Sequence, residues 1–196
     1  DGIKINGYGS TTVPFSDMTK MSTTEYTYLW TVGAGQGNTD FGLGYGTDTV
    51  GNEITNDYMT GRSILVDNSS PTALIDWEGV TTVAPGSVIT VYVTFSETTA
   101  NSPVPQISGS GANTIAANDL VQHYLSIYKY IWTVGGNTGT QTFSVSTGTD
   151  LAGNVVEETL TSGGSILIDI LPTAALSYTV NGTAVSKVKQ GDEVLI

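Results

Sequence analysis

The sequence predicts an all-β chain of Greek-key β-sandwiches strung in tandem, with about 102 residues to each repeat. Three observations carry this. Residues 3–67 recur without gap as residues 105–169, anchored by Tyr28-Leu29-Trp30-Thr31-Val32-Gly33 against Tyr130-Ile131-Trp132-Thr133-Val134-Gly135, an offset of 132 − 30 = 102. That period is too long for a solenoid turn of about 20–50 residues and suits independently folded domains. Apolar residues alternate with polar ones in short runs, and Gly- and Asn-bearing turns separate the runs about every ten residues.

The elements follow in order along the more complete copy. Residues 72–76 form a short opening strand, and Trp77-Glu78-Gly79 turns out of it. Residues 87–95 are the strongest strand, with Ile89, Val91, Val93 and Phe95 on one face and Thr90 and Thr94 on the other. Residues 105–108 and 114–117 are short strands around Gly109-Ser110-Gly111, and residues 118–123 have room for one helical turn. Residues 127–134 place Tyr128, Tyr130 and Trp132 on one face, directed inward, and residues 140–146 alternate around Phe143 and Val145. Residues 165–169 close the unit. Seven short strands with this turn spacing describe a two-sheet sandwich. The core is expected to rest on Tyr28, Trp30, Phe41, Val91, Val93, Tyr130, Trp132 and Phe143.

Pro71-Thr72-Ala73 and Pro172-Thr173-Ala174 each follow an Asp-ended strand and each marks a restart. The chain therefore divides into residues 1–70, a domain lacking its first strands, residues 71–171, a complete domain, and residues 172–196, the opening strands of a next domain. Two arrangements fit: a slice of a longer array, which is favoured, or a protomer whose last strands complete the first domain of a neighbour.

Composition narrows the function. The chain carries 18 acidic against 6 basic residues, a net charge of −12. Such a chain repels nucleic acid and anionic membranes and attracts divalent cations. Cysteine is absent, so neither disulfides nor thiolate metal sites contribute. No apolar run reaches the roughly 18 residues of a transmembrane helix.

Thr94-Phe95-Ser96-Glu97, Trp132-Thr133-Val134-Gly135, Gly148-Thr149-Asp150-Leu151-Ala152-Gly153-Asn154, Ile168-Asp169 and Pro172-Thr173-Ala174 occur in an order that resembles the tandem bacterial immunoglobulin-like (Big-type) repeats of large secreted adhesins and surface filaments. The resemblance covers essentially the whole chain. Its most specific element is the Asp-x-x-Gly-Asn turn followed by a strand and a Pro-Thr-Ala restart. It departs at Thr49-Val50, where the second copy has Leu151-Ala152, and at a first junction one residue longer than the second. The resemblance implies tandem Ig-like sandwiches, an extracellular or cell-surface location, cell adhesion through a stalk or filament, neighbouring repeats as partners, and calcium at domain junctions.

About 23 of the 65 aligned positions are identical, and the charged ones among them are Asp17/Asp119, Asp48/Asp150 and Asp67/Asp169. Asp17 and Asp119 are expected to cap turns. Asp48 and Asp150 open Asp-x-x-Gly-Asn, where a carboxylate accepts backbone N–H groups while Gly takes a positive φ. Asp67 and Asp169 end the last strand where one domain meets the next. A junction gathers oxygen ligands from two domains, and calcium takes six to eight of them. Asp48, Asp67, Glu97, Asp150 and Asp169 are thus the candidate metal ligands, with an Asx turn as the rival explanation for Asp48 and Asp150.

Catalysis finds no footing. The single His123 faces Met21 in the other copy, and Glu157-Glu158 would point to opposite faces of a strand. The Gly-rich pieces 33–37 and 135–139 join strands and lack the Lys of a phosphate loop. Lys129, the one mid-strand lysine suited to an isopeptide bond, faces Thr27. Trp30 and Trp132 belong to the core, whereas Trp77 keeps open an exposed, sugar-binding position. The expected function is a non-enzymatic structural segment of a repetitive surface protein. The alternatives are a strand-exchanging fibre subunit and an accessory polysaccharide-binding module of a secreted enzyme.

Overall fold

A computed structural model describes residues 2–55, 60–170, 175–191 and 193–195. They are all-β, with no helix among them. The first segment holds β1 (Lys4–Gly9), β2 (Val13–Asp17), β3 (Thr19–Lys20), β4 (Tyr26–Thr27), β5 (Gly37–Gly44) and β6 (Ser63–Val66). The middle holds β7 (Ala73–Asp76), β8 (Thr82–Val83), β9 (Val88–Phe95), β10 (Gln106–Gly111), β11 (Ile115–Asp119), β12 (Val121–Tyr124), β13 (Ile127–Thr133), β14 (Gly139–Ser146), β15 (Leu160–Ser162) and β16 (Ser165–Ile168). The last segment holds β17 (Thr179–Val180), β18 (Thr183–Ala184) and β19 (Val194–Leu195), joined in the order β18-β17-β19.

In the middle segment two five-stranded sheets, β11-β10-β14-β16-β8 and β12-β13-β9-β7-β15, enclose one apolar core. Val91, Val93 and Phe95 of β9 and Tyr128 and Trp132 of β13 meet Ile107, Phe143, Val145 and Ile166 of the facing sheet. The alternation read from the sequence is the cause, since every second residue of β9 and β14 turns inward. Each fully buried side chain of this kind contributes roughly 1.5–3 kcal/mol. Trp77 lies in this core at 8% exposure, donates its indole N–H to the Gly163 carbonyl at 3.0 Å, and packs on Phe143. The exposed position left open for it is therefore corrected. The turn after β7 matters topologically. Glu78 and Gly79 both take positive φ, which swings the chain from one sheet to the other, so β7 pairs β15 and β8 pairs β16, both parallel.

Residues 118–123 hold no helical turn. β11 runs to Asp119, and Val121 begins β12, paired with Lys129 of β13. A lone helical turn carries the full nucleation cost for one hydrogen bond, whereas this stretch lies beside a strand with a free edge. Asp17 and Asp119 also differ from expectation. Neither caps a turn. Each sits opposite the first residue of the neighbouring strand, where Asp17 pairs with Lys4 at 2.7 Å and Asp119 accepts from Gln106 at 2.7 Å.

The first segment forms the four-stranded sheet β2-β1-β5-β6 and the small pair β3-β4. The register of β1 on β5 matches that of β10 on β14 shifted by 102, as in Lys4↔Gly44 and Gln106↔Ser146, and the bulge after Ile5 returns after Ile107. Trp30 meets Phe41 at 5.1 Å and 78°, and Trp132 meets Phe143 at 5.1 Å and 80°. Burial differs. Ile64 is 49% exposed against 4% for Ile166, and Tyr28, Trp30 and Phe41 are only half-buried. No described strand stands in the first segment where β7, β8 and β9 stand in the middle one. Without a β9 to pair with, residues 28–32 also leave the strand conformation that β13 keeps.

Candidate cation site at the junction

The site is built on two turns and one strand end. Val66 closes β6, and Asp67 follows it half-buried. Its Oδ1 accepts hydrogen bonds from Gln36 Nε2 at 2.8 Å and the Ser69 N–H at 3.1 Å. Pro71, fully buried, and Thr72 are fastened to the middle segment. The Glu157 N–H donates to the Pro71 carbonyl, while Thr72 and Ser96 exchange bonds through the Ser96 hydroxyl and N–H. Glu97 comes directly after that anchor, just past the end of β9.

Asp150 opens its turn as an Asx turn should. Its Oδ1 accepts from the N–H groups of Ala152, Gly153 and Asn154 at 2.7–2.8 Å, and its Oδ2 accepts from Asn154 Nδ2 at 2.7 Å. Gly153 takes φ 99°, as the turn requires. The same Asn154 amide also donates to the Asp67 carbonyl at 3.0 Å, tying the turn to the preceding segment. Thr99 bridges to Asp150, so the loop after Glu97 lies on this turn.

Carboxylate oxygens of Asp67, Glu97 and Asp150 lie within 4.8 Å of one another. Among the described residues no Lys, Arg or His comes within ion-pairing distance of them. Loss of hydration raises the Glu97 pKa, and the charges of Asp67 and Asp150 add to that rise. Burial pushes Asp150 upward as well, but the bonds from the Asn154 side chain and from the N–H groups of Asn154, Gly153 and Ala152 outweigh it and hold the carboxyl below its ordinary value. The donor set is three hard anionic oxygens with free lone pairs. Glu97 accepts no hydrogen bond among the described residues, Asp67 Oδ2 accepts none, and Asp150 Oδ2 accepts one of about two. Such a set suits calcium or magnesium over zinc or copper.

Of the five residues the sequence nominates, the structure brings three together. Asp48 lies apart in the first segment, exposed, with the Val50 and Asn52 N–H groups on Oδ1 and Asn52 Nδ2 on Oδ2, and these bonds, the Asn52 side chain first, lower its pKa. Asp169 follows β16 and accepts the Ile170 N–H at 2.8 Å. Residues 171–174, with the second Pro-Thr-Ala restart, lie outside the described residues. Sequence reasoning missed Asn154, the residue that joins the two segments, although its identity with Asn52 was visible. It also missed Gln36, which has Thr138 in the other copy and so left no repeat signal.

Elsewhere, His123 is exposed beside the Tyr92 ring at 5.6 Å, and Trp77 and Trp132 are buried and present no face to a sugar. Among the described residues no helix is long and apolar enough to cross a membrane. No protein-family model matches the chain, and no curated protein matches it.

Proposed function

We propose that this chain is a structural segment, a stalk or filament, of a repetitive bacterial cell-surface or extracellular protein, spacing or building an adhesive fibre. Its units are read as Ig-like Greek-key sandwiches of about 102 residues, with boundaries at 1–70, 71–171 and 172–196. Its partners are neighbouring repeats of the same or identical chains, and its role is mechanical, not catalytic. The observation that carries this reading is the joint. The last strand of one copy ends just before Asp67, whose carbonyl and carboxylate meet Asn154, Glu97 and Asp150 of the next copy within hydrogen-bonding or ion-sharing distance. A cation of calcium chemistry held there would bind the two units through all three side chains and stiffen the row.

The repeat supports a specific stoichiometry. Asp169 holds the place of Asp67, and Asp48 the place of Asp150, yet neither belongs to a cluster of three acidic side chains among the described residues. Among the described residues such a three-carboxylate group therefore occurs once, between Asp67 and Asp150. Calorimetric titration with calcium should show one ion per chain and a rise in melting temperature, worth about 2.7 kcal/mol at a hundredfold excess over Kd. Two ions would place the sites inside the copies, and no heat with no rise would end the cation reading.

One observation favours the strand-exchanging subunit as a second reading: the inner face of the four-stranded sheet leaves Ile64 at 49% exposure. Strands from the C-terminal segment of another molecule would cover it. Light scattering across a concentration series separates the two, because exchange demands concentration-dependent oligomers and electron microscopy would then show filaments.

A further inference from the structure

The Gly-rich loop 33–37, which joins Trp30 to β5, holds the junction through one side chain. Gln36 uses both ends of its amide. Its Nε2 donates to Asp67 Oδ1 at 2.8 Å, and its Oε1 accepts the Asn68 N–H at 2.7 Å. Asn68 returns the contact, donating Nδ2 to the Gly35 carbonyl at 2.6 Å. These bonds fasten the start of the linker to the first segment. Its other end is fastened to the middle segment through Pro71, Thr72 and Ser96, and the Asp67 carbonyl receives Asn154. Asp67 to Thr72 therefore has hydrogen-bonded anchors at both ends. The second copy has Thr138 in the place of Gln36 and Ile170 in the place of Asn68. Neither side chain can repeat the exchange: that of threonine is too short and has no amide, and that of isoleucine has no donor.

We infer that Gln36 and Asn68 are positioning residues that fix the angle of the first junction and aim Asp67, independently of any cation, and that the second junction lacks this device. One linker carries this clasp and the other lacks its two side chains, so successive joints of a repetitive chain would differ in stiffness. The inference deepens the spacer reading and rests on it, but it needs no metal.

The test is residual dipolar couplings of the full chain in EDTA, for the parent and for Gln36→Thr with Asn68→Ile, which installs the pair the second copy already carries at this register. In the parent, one alignment tensor should fit both the strands within 4–66 and those within 73–168. In the double variant the spectra should stay dispersed while the common tensor is lost. A variant still fitted by the parent tensor overturns the clasp and leaves the spacer reading standing. A parent that needs two tensors overturns both. Gln36→Ala is the second variant. Loss of dispersed signals from 4–66 in both variants would make the contact a folding requirement and overturn the positioning role.

Discussion

Replacing Trp132 by alanine tests the core. The indole is 3% exposed, stands edge-on to Phe143 at 5.1 Å, and shares that ring with Trp77. Removing it deletes the apolar surface and opens a cavity between β13 and β14, strands that are each hydrogen-bonded on both sides, so little collapse is available. The cost should be about 3–5 kcal/mol, typical of a buried aromatic cut to alanine. A domain of this size has about 5–15 kcal/mol in all, and 1 kcal/mol corresponds to about 4–8 °C. The melting temperature of the middle segment should fall by at least about 12 °C. Differential scanning calorimetry reads this directly. Ile64→Ala is the internal control, since that side chain is 49% exposed and its loss should cost under about 1 kcal/mol. If Trp132→Ala melts within about 3 °C of the parent, or if Ile64→Ala falls as far, the sandwich as described does not hold the chain together.

Two further substitutions separate the turn from the ion. Glu97→Gln should raise the melting temperature in EDTA at neutral pH, because it removes a carboxylate whose charged form is disfavoured by desolvation and by Asp67 and Asp150, and should abolish the rise with calcium. Each like-charged neighbour so relieved is worth on the order of 1 kcal/mol in a water-like setting. Asp150→Asn should destabilise the chain by about 1–3 kcal/mol at pH 7, because the amide cannot accept all four donors. Its pH dependence has a fixed sign. The Asp150 pKa is lowered in the fold, so its contribution is complete above the ordinary value near 3.8 and is lost as pH falls through the folded value. The gap between parent and Asp150→Asn, measured by urea titration, should close below about pH 4, and a gap that holds constant to pH 2 would refute the account.

What the sequence made legible was whatever period and repetition encode. Strands β9 and β14 alternate over eight residues and β13 buries Tyr128 and Trp132 on one face, so their inward faces were readable from Val91, Trp132 and Phe143. Strands β8 and β15 were not, because at two and three residues they carry no period and owe their existence to parallel pairing with distant strands. The half-burial of Trp30 was hidden for a related reason. A residue pattern marks which face is apolar but not whether a second sheet arrives to cover it. At the junction, repetition singled out Asp67 and Asp150, and the strand end singled out Glu97. Gln36 and Asn68 were invisible because they differ from their counterparts, and nothing in a two-copy comparison distinguishes a useful difference from drift.

The Asx turn and the cation are often set against each other as explanations of one aspartate, and here the two copies show that they are not rivals. Asp48 makes the same kind of turn as Asp150, with its carboxylate bonded to the Val50 and Asn52 N–H groups and to the Asn52 amide, and it belongs to no cluster of three acidic side chains among the described residues. The turn is closed by its own backbone and side-chain hydrogen bonds. What the turn does at Asp150 is to saturate Oδ1 with three N–H groups while leaving Oδ2 only one donor, so the carboxylate is held in place and Oδ2 keeps a free lone pair. A ligand immobilised by the fold loses little entropy on coordination, which is what pre-organisation means at a metal site. The aspartate thus serves as a turn residue in both copies, and under the proposed cation reading it would act as a ligand only where Asp67 stands against it.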